Sequence, residues 1–440
     1  MILLSQPSDG QLGEYLSETL ESGEFDTLSV VVAFAKNNGV LRLRESMRRF
    51  RDSGGDLHFY VGLDMNGTSY EALVNLLAVA TSLRVIHDEN GQTFHTKLYN
   101  FEAPERSVLV VGSHNFTAGG LWSNFETSIR LSLESGTPDH LQMRRSVDAH
   151  LKRLRALTDT TKLIENEEDI HTLLSNQYVE KEVKTQIRRR QAAEATAPGQ
   201  PLFGTGPRAY LPSLPRISPT AQEERTTVRE KSVTAPGEPE IVREEPAKVR
   251  EEPRTVPEES TIPVLDANKS GDPTLWLETR KMTGGSRNIL DLSKTSLLHS
   301  GDVAGTHYEH TEPGFMRGAV EFFGVDPENT AHEKEIVINF EGIDYFGNTI
   351  KFPEGEHANG TWRVQIKGKS ADGVRITKVF SELASGGYFL PQKIVTFTRV
   401  RDDYYYLSVF SESDLNDFVD AAVVTAYNGR TQNAKLLGIF

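Results

Sequence analysis

At 440 residues the chain exceeds one ordinary core and implies two to three domains. It has no cysteine, which excludes a disulfide framework, a zinc–thiolate site and a thiol nucleophile and fits a reducing cytosol; its formal charge of -14 argues against coating nucleic acid through bulk positive charge and confines any such contact to a local basic groove. The start MILLSQPSDGQ turns polar after four apolar residues, too few for a secretory segment, and nowhere do about eighteen apolar residues run together, so a soluble cytoplasmic protein with no membrane contact is expected.

From residue 28 to 131 short β-branched runs alternate with helical stretches. Ser29–Phe34 predicts a buried strand, and Val40–Arg51 a helix that stops before Gly54-Gly55. A strand at Leu57–Leu63, a helix at Tyr70–Ala80 and a strand at Ser82–Ile86 follow. Strands at Thr93–Phe101, Ser107–Val111 and Glu126–Ser132 complete the half. This alternation implies a largely parallel sheet covered by helices, with active residues at strand ends. Asp139–Ile187 has helical character throughout and closes the first domain near residue 188.

Composition then shifts. From Gln191 to Pro263 the chain is rich in Pro, Glu, Arg and Thr, and VREEP recurs at Val242–Pro246 and Val249–Pro253. Such a segment buries too little apolar area to offset its ordering entropy, so residues 189–264 are expected to form a long disordered linker. Over 265–440, many short aromatic and β-branched runs separated by Gly, Asn and Asp predict an all-β barrel or sandwich, with one helix over Ser413–Val424. The tyrosines Tyr404–Tyr406 are assigned to packing rather than to base stacking.

One stretch carries chemistry. His-x-Lys occurs three times, and about half a match is expected by chance. His150/Lys152 falls in a basic helix, and His332/Lys334 has no companion motif. His95/Lys97 differs in its surroundings. On a strand, residues two apart share a face, so Thr93, His95, Lys97 and Tyr99 project together. The next strand ends at Gly112, where a tight turn aims Ser113 and Asn115 at whatever the histidine attacks. Glu126 opens the following strand, where its carboxylate is expected to fix the imidazole. These are the parts needed to attack a phosphodiester without a metal.

The set His95, Lys97, Gly112-Ser113, Asn115 and Glu126 resembles the active site of the phospholipase D superfamily, in its nuclease branch. The family's Asp five positions after the lysine is replaced here by Glu102. Most similar are the restriction endonucleases of the BfiI, NgoAVII and CglI group, in which a Pro- and charge-rich linker leads to a C-terminal DNA-binding pseudobarrel like the plant B-three domain. The resemblance implies an α/β phospholipase D-like domain with a mixed sheet flanked by helices, attack by one histidine to form a phosphohistidine, and protonation of the leaving oxygen by a second. It implies that Lys97, Asn115 and Ser113 stabilise the phosphoryl oxygens and that no divalent metal is required. Because the motif occurs once, the second histidine is expected from another copy, making a homodimer with a shared centre. A helicase-type ATPase is the expected partner for any ATP dependence, since no GxxxxGK[ST] is present.

The expected reader of double-stranded DNA is the C-terminal domain. Arg280, Lys281, Arg287 and Asn288 flank Gly284-Gly285, and Arg363, Gln365, Lys367 and Lys369 alternate onto one strand face. Two other readings compete: a phospholipid hydrolase or phosphatidyltransferase, weakened by the single motif, and a non-catalytic DNA-binding regulator, weakened by the intact set around His95.

Overall fold

The computed structural model describes residues 1–194, 211–212, 272–281, 286–353 and 360–440. The first 194 residues form one eight-stranded sheet with helices on both faces. In chain order the elements are β1 (Ile2–Gln6), α1 (Leu12–Glu21), β2 (Thr27–Val32), α2 (Asn37–Asp52), β3 (Asp56–Gly62), α3 (Tyr70–Leu77), β4 (Ser82–Ile86) and β5 (Lys97–Glu102). They continue with β6 (Arg106–Gly112), β7 (Glu126–Glu134), α4 (Pro138–Ala156), β8 (Thr161–Ile164), α5 (Glu167–Ser175) and α6 (Glu182–Glu194). The strand order is β1-β7-β6-β5-β2-β3-β4-β8. Only β2–β3 and β3–β4 pair in parallel, so the sheet is mixed, rather than largely parallel as the alternation of elements alone suggests. The reason is that β5, β6 and β7 follow one another through short connections, which join antiparallel neighbours.

Apolar spacing explains the layers. In α2, Val40, Leu43, Met47 and Phe50 recur at helical intervals and are buried in the same cluster as Leu16 and Leu20 of α1. On the opposite face of the sheet, α4 lays Val147, Leu151 and Leu154 over Val31, Leu98 and Leu109. Strands β1 and β8 had no clear sequence signal: both are short edge strands with two or fewer buried residues each.

The C-terminal sheet contains β9 (Thr274–Glu278), β10 (Ile289–Ser293), β11 (Thr295–Ser300), β12 (Phe315–Arg317), β13 (Lys334–Phe340) and β14 (Ile343–Lys351). It continues with β15 (Thr361–Gln365), β16 (Lys393–Arg401), β17 (Tyr404–Ser411), β18 (Val424–Tyr427) and β19 (Leu436–Ile439). Its order is β10-β15-β14-β13-β17-β16-β9-β19-β18-β11-β12. β10 passes into β11 through Lys294 alone, although the two stand near opposite ends of that order. The sheet therefore curls until its edges adjoin, around an interior of Phe323, Phe340, Trp362, Phe397 and Tyr405. The tyrosines Tyr404–Tyr406 are buried, as their assignment to packing requires. The single helix expected over Ser413–Val424 is shorter, Leu415–Ala421, and Val424 already begins a strand.

α6 runs unbroken across the expected boundary at residue 188; the rest of the expected linker, including both VREEP repeats, lies outside the described residues apart from Leu211 and Pro212. The helix joins the domains physically. Its Val183 and Ile187 pack with Trp276, Ile394, Phe418 and Phe440. A second clamp forms on α2, where Arg44 pairs with Asp344 and donates to Tyr404 Oη at 3.2 Å and Asn75 Oδ1 at 3.1 Å. Among the described residues no helix is long and apolar enough to cross a membrane.

Candidate active site

One edge of the N-terminal sheet collects the C-terminal ends of β2, β3 and β6 and the first residues of β5 and β7. Antiparallel pairing causes this: Lys97, first in β5, faces Val32, last in β2, and Gly112, last in β6, faces Ser128 of β7. Gly112 is required there, because a Cβ would lie 2.3 Å from the Thr127 carbonyl oxygen. All five expected catalytic residues sit at this edge, on or beside these strand ends.

The strand expected from Thr93 begins only at Lys97, so His95 lies in the extended lead-in and is exposed. The imidazole and ammonium still meet. Lys97 is 6% exposed, and its Nζ donates to His95 Nδ1 at 2.7 Å and to the His95 carbonyl at 3.0 Å. Phe34 supports both groups, edge-on to the imidazole at 5.7 Å and 6.0 Å from the ammonium. Burial lowers the Lys97 pKa, with the Glu126 charge opposing that shift. The lead-in is itself anchored: Asp64 accepts the Phe94 N–H at 2.7 Å and bonds His87 Nδ1 at 2.7 Å. Nothing in the sequence around Asp64 marked this role, since it depends on the β3 terminus reaching across the sheet edge.

Across the edge, the Ser113 N–H donates to the Thr127 carbonyl at 3.0 Å and its Oγ accepts the Thr127 N–H at 3.1 Å. This crossing brings Ser113 Oγ onto Glu126, which also receives Asn124 Nδ2 at 3.4 Å. The bond expected between Glu126 and the His95 imidazole is therefore replaced by one to Ser113, and among the described residues no carboxylate bonds His95. Among the described residues Asn115 Oδ1 is buried without a partner. His114 between them is structural: Nδ1 donates to the Gly120 carbonyl at 2.8 Å, and burial lowers its pKa. Gln6, which sequence reasoning passed over with β1, holds the following turn by donating from Nε2 to the carbonyls of Gly119, Gly120 and Asn124 at 3.1–3.3 Å. Tyr99 Oη donates to the His114 carbonyl at 3.0 Å from beneath.

Glu102 stands at the far end of β5, six residues long, and faces Arg144 at 3.5 Å; it takes no part in the site. The other two His-x-Lys pairs also stay apart. His150 and Lys152 are on α4, and Lys334 Nζ is bound by the Phe323 carbonyl.

Part of the first basic cluster of the C-terminal domain meets the second. β10 pairs with β15, and the Asn288 carbonyl accepts the Ile366 N–H at 3.0 Å, which sets Arg287 and Asn288 beside Gln365 and Lys367. Arg280, Lys281, Arg287, Lys367 and Lys369 are exposed, whereas Arg363 is half-buried, 3.8 Å from Asp291. Gly284 and Gly285 lie outside the described residues. The structure adds Arg375, joined to Lys369 by a β-bridge, and Tyr388, whose ring lies 5.3 Å beneath the Arg287 guanidinium. Neither had a sequence signal, because both reach the cluster only through tertiary folding.

No model of a protein family matches the chain, and no curated protein matches it. Among solved structures it is similar to a phospholipase D family member, Nuc, from Salmonella typhimurium, at 12% identity over 38% of this chain and 97% of that one, TM-score 0.27. It is similar to NucT from Helicobacter pylori at 13% identity over 34% and 94% of the two chains, TM-score 0.25. A polyphosphate kinase from Porphyromonas gingivalis is similar at 13% identity and TM-score 0.24, over 35% of this chain, which spans 21% of the kinase's length.

Proposed function

We propose that the chain is a metal-independent DNA endonuclease of the phospholipase D superfamily, working in a restriction or phage-defence system, with the curled C-terminal sheet as a B-three-like pseudobarrel that recognises double-stranded DNA. The observation that carries this reading is the 2.7 Å contact between Lys97 and His95 at the edge where Ser113, Asn115 and Glu126 converge. His95 attacks phosphorus; the bond to the leaving oxygen breaks, and a second histidine protonates that oxygen. Water, deprotonated by the second histidine, then displaces His95 and restores both groups. Lys97, the Ser113 hydroxyl and the Asn115 amide supply donors for the non-bridging oxygens as charge builds.

A single chain holds only half of these parts. Attack through Nε2 needs a proton on Nδ1 and an acceptor for it, but within one chain Nδ1 accepts from Lys97, and Glu126 is taken up by Ser113. A second copy supplies the proton donor and a second carboxylate, with the centre on a two-fold axis. An apolar row supports this pairing. Leu3, Ile129 and Val111 are register neighbours on β1, β7 and β6, and are 61%, 42% and 45% exposed beside the site. ATP enters, if a helicase-type subunit accompanies the enzyme, only through that partner.

Co-expression of wild-type and His95→Ala chains with different tags tests the shared centre. The purified mixed dimer is expected to be without cleavage activity; a mixed dimer at half the wild-type rate would contradict it.

A further inference from the structure

α6 carries groups that this chemistry leaves unused. Val183 and Ile187 commit one face of the helix to the C-terminal domain, and Lys184 is tied to Asp414 at 2.9 Å. Residues three and four apart share a helix face, so Thr185, Arg188 and Arg189 turn the opposite way. There they line a cavity of about 680 Å³, whose other walls include Phe34, Lys36 and the candidate catalytic Asn115. That volume is within the range of ligand sites.

The charges in this cavity are unevenly engaged. Glu182 accepts the Asn37 N–H at 2.6 Å and the Ser69 hydroxyl at 2.8 Å, capping α2 and α3. Asp272 accepts from Asn38, and burial pushes its pKa up to about 6. Arg188 pairs with Glu180. By contrast Arg189 is exposed and makes no ion pair among the described residues. The Lys36 ammonium uses one of its three donors on the Asn66 carbonyl, at 3.0 Å, and pairs with no carboxylate within the ion-pair distance among the described residues. Its backbone is bonded to the catalytic turn, since the Lys36 N–H donates to the Phe116 carbonyl at 3.0 Å. Cations with donors to spare thus share the cavity wall with Asn115.

The geometry points to a second phosphate subsite: a DNA strand whose scissile phosphate is at His95 and Lys97 continues past Asn115 and seats a flanking phosphodiester between Lys36 and Arg189. This rests on the nuclease reading. It makes α6 a single element that grips the recognition domain with one face and the strand under attack with the other.

The test uses the full chain carrying His95→Ala, so that the DNA survives, with a short fluorescein-labelled duplex read by anisotropy across a salt series. Arg189→Ala and Lys36→Ala are each expected to weaken binding about three- to tenfold and to lower the slope of log affinity against log salt by about 0.9, the value of one phosphate contact. Arg189→Glu is expected to weaken binding further, and Arg189→Lys to retain the slope. Arg189 is exposed, so its variants report even if Lys36→Ala fails to fold. Unchanged affinity and slope in Arg189→Ala and Arg189→Glu would overturn the subsite, as would absence of duplex binding. Cleavage by the chain with His95 intact, with and without ATP and a helicase-type partner, is read separately: no cleavage under either condition with the slope changes present removes the nuclease reading and leaves the subsite, and the converse removes only the subsite.

Discussion

At the candidate catalytic edge Lys97 and Ser113 are each held from more than one direction. Lys97 is buried against His95 and Phe34, Ser113 is crossed with Thr127 and Glu126, and the turn behind them is gripped by Gln6. In the C-terminal domain Arg280, Lys281, Lys367 and Lys369 are exposed, and the Lys367 ammonium donates to Gln365 at 3.0 Å. The difference suits the roles proposed for the two regions. Groups that stabilise charge in a transition state gain from being desolvated and fixed beforehand, whereas groups that track phosphates work by exchanging counterions and stay hydrated. Losing one group should therefore be costly in the first region and mild in the second.

Several substitutions put that contrast at risk. The largest stability effect is expected at the clamp on α2, the helix whose first turn abuts the catalytic turn so closely that a Cβ on Gly39 would lie 2.7 Å from Thr117 Cα. Arg44→Ala leaves the Asp344 carboxylate with Tyr404 and Asn339 as its partners among the described residues, and a loss of about 3–5 kcal/mol in denaturant unfolding is expected. A loss below about 1 kcal/mol, typical of an exposed pair, would erase the distinction between held and loose regions.

Glu71 gives an intermediate effect with a defined pH signature. Burial beside Glu182 raises its pKa to about 8. A carboxyl raised in the folded state binds its proton more tightly there than when unfolded, so its contribution is full below about pH 4.5 and is lost as pH rises toward 8. Stability should fall by about 1–3 kcal/mol across that window. Glu71→Gln should flatten the dependence and exceed wild type in melting temperature at pH 8, with the two converging near pH 5; parallel profiles would contradict this assignment.

The smallest effects belong to the exposed face. Arg287→Ala or Lys367→Ala should weaken duplex binding several-fold, about 1 kcal/mol each, and leave dimerisation intact. Unchanged gel shifts would remove those residues from the interface.

The candidate site was legible because its residues fall within 32 positions, His95 to Glu126, and three successive antiparallel strands fold them onto one edge. What stayed hidden depends on long-range contact. Gln6 and Asp64 act from β1 and the end of β3, and Lys36 and Arg189 are brought together only by the docking of α6. The Glu126 carboxylate meets Ser113 rather than the histidine for a related reason: strand order places it near the histidine, but the hydrogen bonds between Ser113 and Thr127 decide which group it meets. The mixed sheet agrees with the resemblance and departs only from the parallel one that alternation suggests, because alternating composition shows where strands lie but not their direction.

The most direct measurement is incubation of plasmid DNA with the purified chain in EDTA, with and without ATP and the product of any neighbouring helicase gene, beside the His95→Ala variant. Nicking or linearisation that persists in EDTA and disappears with His95→Ala is the predicted result. Cleavage abolished by EDTA, or retained by His95→Ala, would contradict the account.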